Sequence, residues 1–189
     1  MRSRLGARGL PPDTYASWRS SLAERERTPA RILAWARADD GYVIGSSAVL
    51  SVGSRPAGGA EPERGTVPGW RHVGWHEIEH GGWNAESRSL SWTLYGGRRG
   101  RVALADPGRL PELFRERVAA SIVVERFVPI RGERGVTVTA RRDLGRSGEL
   151  TWHSSLTRGL SWSAEGVAEE AARACAELQS EYGSASSGW

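Results

Sequence analysis

The stretch that decides the fold is ILAWARADDGYVIGSSAVLSV, residues 32–52. Residues 32–37 and 42–52 combine apolar, β-branched and aromatic side chains, a composition that favours β-strands. The Asp-Asp-Gly between them, at 39–41, is typical of a tight turn. The pattern therefore predicts a β-hairpin with a long second strand, and it places a β-sheet early in the chain.

More strands are predicted on the C-terminal side of this hairpin. Residues 70–75 form one, residues 78–83 and 90–94 form a second hairpin, and residues 101–104 follow a glycine-rich turn. The Pro- and Gly-rich residues 53–69 have almost no apolar side chains, so we expect a mobile surface loop there.

A helix is predicted after this series of strands. Asp106 is its expected N-terminal cap and Pro107 its first residue. Leu110, Val118 and Ile122 belong to an apolar face with spacings of three and four residues. We expect this helix to bury that face against the sheet.

The last third of the chain returns to strands. They are predicted at residues 122–130, 136–141 and 150–156, and the middle one has the clearest alternation of polar and apolar side chains. Residues 164–182 then follow the pattern of an amphipathic helix. This order predicts a second sheet that is covered by a C-terminal helix.

The predicted fold class is α+β: an antiparallel strand meander with a helix packed on one face or across an open end, followed by a three-strand unit and a C-terminal helix. Residues 1–29 are expected to be a flexible segment with a short helix, and 184–189 a disordered tail. Residues 30–122 hold the meander and its helix. Residues 123–183 hold the additional strands and the last helix, and we expect them to pack into the same globule.

Large apolar side chains at strand and helix positions predict the core. Tryptophan is unusually frequent, with nine residues against two Phe and four Tyr, so it supplies much of the apolar bulk. The predicted core residues are Trp35, Val49, Trp75, Ile78, Trp83, Trp92, Leu113, Phe114, Val118, Val167, Cys175 and Leu178.

Composition limits the class of protein. The 39% of hydrophobic and 25% of charged residues are typical of a globular chain rather than a disordered one. Cys175 is the single cysteine, which excludes a disulfide framework and favours a small buried hydrophobic role in a reducing cytoplasm. Neither a secretory signal nor an apolar run of membrane-spanning length is present, so we expect a soluble cytoplasmic protein.

All 26 basic residues are arginine, and the net charge is only +4 because acidic residues are interspersed among them. The absence of lysine excludes Schiff-base and phosphate-loop lysine chemistry. Such an even distribution argues against a nucleic-acid footprint, which concentrates charge on one face. Two arginine clusters in a chain rich in Trp leave nucleic-acid binding as an alternative: Arg98, Arg99 and Arg101, and Arg141 with Arg142.

One motif points to an enzyme. His76-Glu77-x-x-His80 matches the H-E-x-x-H pattern of zinc peptidases, in which a helix brings both imidazoles to one ion and the Glu acts as general base. The glycines around the motif leave little room for a helix, and a strand would place the two His about 13 Å apart at roughly 3.3 Å per residue. The metzincin third ligand is also missing, so zinc-dependent hydrolysis is an alternative and not the main prediction.

Other catalytic patterns are incomplete. Ser46 and Ser47 lack the complete G-x-S-x-G pattern of a nucleophile elbow, and the nearest Asp to His153 in sequence is Asp143. Neither a dinucleotide fingerprint nor a phosphate loop is present. We therefore predict no catalytic residue, no cofactor and no metal.

A series of short motifs resembles bacterial pleckstrin-homology-like (PH-like) domains: residues 35–37, 41–50, 75–78 and 90–94, together with Trp83. The resemblance spans roughly residues 30–122. It implies that the meander forms a partial barrel and that a helix plugs one end of it. The arginine-rich composition resembles that of proteins from GC-rich actinobacteria.

The resemblance implies an interaction domain. Phosphoinositide-binding members need basic residues in the first hairpin loop, whereas Asp39 and Asp40 here would repel a lipid headgroup. We therefore expect a non-enzymatic interaction or scaffolding module that binds a protein partner, and no phosphoinositide ligand.

Overall fold

The computed structural model describes residues 9–27, 30–54, 69–145 and 149–183. The chain divides into two compact units. The first comprises Met1–Ser121 and Asp143–Glu149, and the second comprises Ile122–Arg142 and Leu150–Trp189. The fold class is α+β, as the sequence predicts.

The first unit contains a seven-stranded antiparallel sheet, two helices that precede it and one that follows it. The sheet has the strand order β4-β3-β2-β1-β7-β6-β5. In chain order the elements are α1 (Pro12–Ser21), α2 (Glu24–Arg27), β1 (Ile32–Ala38), β2 (Gly41–Ser46), β3 (Val49–Ser54), β4 (Gly69–Gly74), β5 (Ile78–Asn84), β6 (Ser89–Leu94), β7 (Arg99–Asp106) and α3 (Leu110–Ser121).

This sheet curls around one core. All seven strands contribute buried side chains to a single hydrophobic cluster, and only the three residues Trp75–Glu77 join the opposite edge strands β4 and β5. Helix α3 touches β1 and β2 in the middle of the sheet and also β5 at its edge. The meander is therefore a partial barrel, with an open seam between the edge strands β4 and β5.

Helix α3 covers one end of the barrel with the buried face that the sequence predicts. Leu110, Leu113 and Phe114 are almost fully buried, and the Phe114 ring packs edge-on against Trp75 with centroids 6.1 Å apart. The helix comes close to β2 at Gly45, where an added Cβ would lie 2.5 Å from Leu113 Cδ2. A glycine at this position is what allows the close packing.

Helix α1 packs on the outer surface of the sheet. Trp18 and Leu22 are fully buried and join Ile44 and Val49 in a second hydrophobic cluster. The short helix that the sequence predicts within residues 1–29 is present as α1. Its attachment to the sheet has little local signal, because Trp18 is one large anchor within a polar helix rather than part of an apolar stripe.

The second unit is a three-stranded antiparallel sheet of order β10-β9-β8 with one helix. Its elements are β8 (Ile122–Arg131), β9 (Arg134–Arg142), β10 (Leu150–Leu156) and α4 (Val167–Gly183). Helix α4 contacts all three strands. Their shared core contains Val136, Val138, Ala171, Ala174 and Leu178.

Two predicted boundaries are wrong for identifiable reasons. The long strand at 42–52 is two strands, because the Ser46 hydroxyl accepts the Ala48 and Val49 amides and turns the chain. Helix α3 does not begin at Asp106, which lies in β7 and pairs with Arg37. Gly108 has φ +48°, a left-handed conformation that keeps the preceding residues out of the helix.

Two further boundaries differ at helix ends. Ile122 is not the last residue of the α3 apolar face but the first residue of β8, where it is exposed. The final helix begins at Val167 rather than 164, after Gly166 with φ +75°. None of the described helices is both long and apolar enough to cross a bilayer.

Of the predicted core residues, eight are buried and four only partly buried. Trp35, Trp83, Val118 and Cys175 pack at the margins of the clusters. The buried ones are Val49, Trp75, Ile78, Trp92, Leu113, Phe114, Val167 and Leu178. Most of the loop predicted at 53–69 and the tail predicted at 184–189 lie outside the described residues.

Candidate functional site

The segment with the zinc-peptidase pattern does not form an α-helix. Trp75–Glu77 is a single 3₁₀ turn, and Ile78 begins β5. His76 therefore lies in the turn and His80 in a strand, where it is exposed. This backbone does not supply the one-faced helical spacing that H-E-x-x-H chemistry requires.

The polar side chains of the motif have other neighbours. Glu77 Oε2 accepts a 2.6 Å hydrogen bond from the Gly74 amide, so Glu77 caps the turn between β4 and β5. His76 Nδ1 lies 3.7 Å from Asp143 Oδ1, and His80 Nδ1 lies 3.9 Å from Glu79 Oε2. Within the described parts of the chain, no group of three or more His, Cys, Asp or Glu is placed to hold a metal ion.

A groove opens at the seam of the barrel, between β4 on one side and β6 and β7 on the other. Its cavity has a volume of about 300 Å³. We call it the arginine groove; its lining residues are Arg71, His72, Val73, Glu77, Trp92, Leu94, Arg98 and Arg99. Its floor is therefore apolar and its rim is largely basic.

Arg71 and Trp92 form the centre of the arginine groove. The Arg71 guanidinium lies over the Trp92 ring, 5.9 Å from its centroid, within the range of a cation–π contact. Trp92 is buried, and it reaches this position across Gly100, where a Cβ would lie 2.2 Å from the indole. The ring thus fixes the arginine at the seam without neutralising its charge.

In the described residues, no ion pair joins Arg71, Arg98 or Arg99 to a carboxylate, although Glu77 also lines the arginine groove. Arg71 and Arg101 also line a neighbouring cavity of about 410 Å³ at the open end of the barrel. Arg99 and Arg101 line another, on the outer face of β5–β7, so the basic surface continues around the β6–β7 turn.

The opposite face of β4 carries a polar network. His72 Nδ1 lies 2.9 Å from Ser51 Oγ, and His72 Nε2 lies 3.0 Å from Ser21 Oγ. The Trp18 indole donates to Ser51 Oγ at 2.9 Å, and Ser21 Oγ donates to the Trp18 carbonyl at 2.7 Å. Burial lowers the pKa of His72, and the charge of Glu26 and the bond to Ser21 only partly oppose this shift.

These bonds form one directed circuit. If the indole donates to Ser51, the Ser51 hydroxyl is free to donate to His72 Nδ1. His72 Nε2–H then donates to Ser21, whose own hydroxyl is committed to the Trp18 carbonyl. In this arrangement each hydroxyl donates once and accepts once, and the imidazole is neutral with its proton on Nε2, in keeping with the lowered pKa of His72. The network is thus a structural attachment of α1.

None of the remaining candidate residues is among those that line the arginine groove. Ser46 is fully buried, and its hydroxyl is used in the β2–β3 turn, as described above. His153 is in β10 of the second unit. Cys175 is partly buried on α4, where burial raises the pKa of its thiol.

Comparison of the chain with protein-family models, with curated proteins and with solved structures found no significant match. Arg98 and Arg99 were candidates from sequence, whereas Arg71 was not. Arg71 and Trp92 are distant in sequence, and only the curling of the sheet brings them together.

Proposed function

We propose that the first unit is a PH-like, non-enzymatic interaction module that binds an acidic segment of a protein partner in the arginine groove. The observation that carries the proposal is Arg71, held on the Trp92 ring at the seam without a carboxylate partner in the described structure. Guanidinium groups bind carboxylates through paired, charge-assisted hydrogen bonds.

The shape of the arginine groove favours a peptide over single-stranded nucleic acid. Binding of unpaired bases needs aromatic rings with exposed faces. Trp92 is only 3% exposed, and its face is covered by Arg71. The large exposed aromatic residues in the described ranges are Tyr15, Phe127 and Trp162, and none of them lines the groove.

The acidic β1–β2 turn disfavours a phosphoinositide headgroup as the main ligand. Asp39 and Asp40 are exposed at the β1–β2 turn and line the cavity that also contains Arg71 and Arg101. Their carboxylates oppose a multiply charged phosphate at that end of the barrel. A peptide with spaced single charges meets less repulsion there.

The test is fluorescence anisotropy with a short labelled peptide in which Glu alternates with Thr, compared with the same peptide carrying Gln in place of Glu. We expect only the Glu peptide to bind, and its affinity to fall as salt increases. Arg71→Ala should weaken binding about tenfold or more, since charge-assisted hydrogen bonds contribute roughly 1.5–3 kcal/mol. Arg115→Ala removes an equal charge from an exposed position on α3 that does not line the groove, and is the matched control.

Three results would contradict the proposal. The first is equal binding of the Glu and Gln peptides, and the second is an equal effect of Arg71→Ala and Arg115→Ala. The third is tighter binding of a labelled single-stranded oligonucleotide than of the Glu peptide, which would favour the nucleic-acid alternative. Hydrolysis of a generic peptide that requires both zinc and His76 would instead favour the metallohydrolase.

A further inference from the structure

Strand β4 is an edge of the seven-stranded sheet. In the described ranges it pairs only with β3, in a regular register from Val49 opposite Gly74 to Ser54 opposite Gly69. Its other side faces the open seam. A row of backbone donors and acceptors without a neighbouring strand is a ready template for another chain.

The lining of the arginine groove shows that this edge is accessible. Side chains of consecutive strand residues point to opposite faces, so a cavity on one face would meet every second residue. Arg71, His72 and Val73 are consecutive, and all three line the groove. The cavity therefore extends to the backbone edge of β4.

The β4–β5 turn indicates which amides face the groove. The Gly74 amide donates to Glu77 Oε2, in the turn that leads away from β3. In an antiparallel strand, amides two residues apart point to the same side, so the His72 N–H and C=O also point away from β3. A carboxylate of the chain itself already occupies one donor at this edge.

We propose that the acidic segment binds as an additional β-strand along the free edge of β4. This inference rests on the proposed function and specifies how the ligand is held. Main-chain hydrogen bonds to the edge supply affinity, and the arginines select the side chains, a combination known from strand-addition complexes. The ligand is thus an extended peptide rather than a helix or a cluster of charges.

The geometry sets the spacing of the acidic residues. Side chains on one face of a strand recur every second residue, at about 6.6 Å for a rise of 3.3 Å per residue. Carboxylates at alternate positions can therefore face the side of Arg71, Arg98 and Arg99, while the intervening residues face away. A peptide with the same number of Glu residues placed consecutively presents only half of them to this side.

The central comparison changes only the peptide, so a difference in protein stability cannot explain its outcome. Backbone N-methylation removes N–H donors without changing charge. Two versions of the alternating Glu-Thr peptide are compared, one methylated at every Glu nitrogen and one at every Thr nitrogen. Because alternate amides of an added strand point to opposite sides, one version should bind at least about tenfold more weakly than the other.

The possible results separate the two proposals. A large difference between the methylated versions, with binding still lost in Arg71→Ala, supports strand addition. Equal affinities of both versions and the unmethylated peptide, again lost in Arg71→Ala, overturn strand addition and leave the acidic-ligand proposal intact. Equal binding of alternating and consecutive Glu peptides also overturns it. Failure of every Glu peptide to bind overturns both.

Discussion

The hydrogen-bond circuit that attaches α1 makes a defined prediction about stability. The change is Ser51→Ala, which removes the hydroxyl between the Trp18 indole and the His72 ring. Ser51 and Trp18 are both fully buried, so water cannot replace the lost partner without opening the α1 interface. The free energy of unfolding should therefore decrease by more than is usual for the removal of one hydroxyl group.

The magnitude follows from the groups left without partners. A buried donor without an acceptor, here Trp18 Nε1, costs about 1–3 kcal/mol, and loss of the second hydrogen bond, to His72, about 1 kcal/mol. We expect the free energy of unfolding to fall by about 2–4 kcal/mol on this basis. Ser91→Ala, at an exposed position of β6, should change it by less than about 0.5 kcal/mol.

A double-mutant cycle tests the cause. Trp18→Phe removes the indole N–H, so Ser51→Ala in that background leaves no unpaired donor. The two substitutions should be less than additive by about 1–2 kcal/mol, within the usual range for residues in direct contact. The measurement is urea denaturation of the full chain followed by far-ultraviolet circular dichroism. Additive losses, or a loss no larger than that of Ser91→Ala, would refute the circuit.

Three further predictions concern the same fold. Burial lowers the pKa of His72 below 6.5, so the unfolded chain binds more protons, and the free energy of unfolding should decrease as the pH falls below that value. Below that pH, the unfolding free energy of His72→Gln should depend less steeply on pH than that of the unsubstituted protein. Equal slopes for the two proteins would argue against this role of His72. Gly100→Ala should displace Trp92 and cost about 1–3 kcal/mol by thermal denaturation, whereas Gly82→Ala, with open space around it, should not. Because burial raises the pKa of Cys175, disulfide reagents should modify it more slowly in native than in urea-unfolded protein at neutral pH.

The sequence predicted the elements that depend on local pattern. Alternation of polar and apolar residues predicts the β1–β2 hairpin and the succession of strands along the chain in each sheet. Apolar residues spaced by three and four predict the buried face of α3. The predicted ends of strands and helices were wrong where a single side chain or a single dihedral angle determines the boundary. The Ser46 hydroxyl ends β2 early, and the positive φ of Gly108 delays α3.

The candidate site was largely beyond sequence-based reasoning. Arg98 and Arg99 stand out in the sequence as a cluster. Which groups lie next to each guanidinium, however, depends on tertiary contacts that the sequence does not show. Arg71 follows a Pro- and Gly-rich stretch and has no local signal. A weak clue was the small residue at Gly100, opposite Trp92 in the β6–β7 pairing, since glycine in a strand often marks a close approach.

Strand β4 links the two features that matter most. Arg71 faces the arginine groove, and its neighbour His72 is directed to the opposite side, where it joins α1 through Ser21. Because a one-residue shift of a strand exchanges its two faces, the register that places His72 in the circuit is also the register that places Arg71 on Trp92. Glu77, the most suggestive residue of the zinc-peptidase pattern, caps the end of this same strand. The H-E-x-x-H segment thus contributes to the position of the arginine groove through the geometry of its backbone.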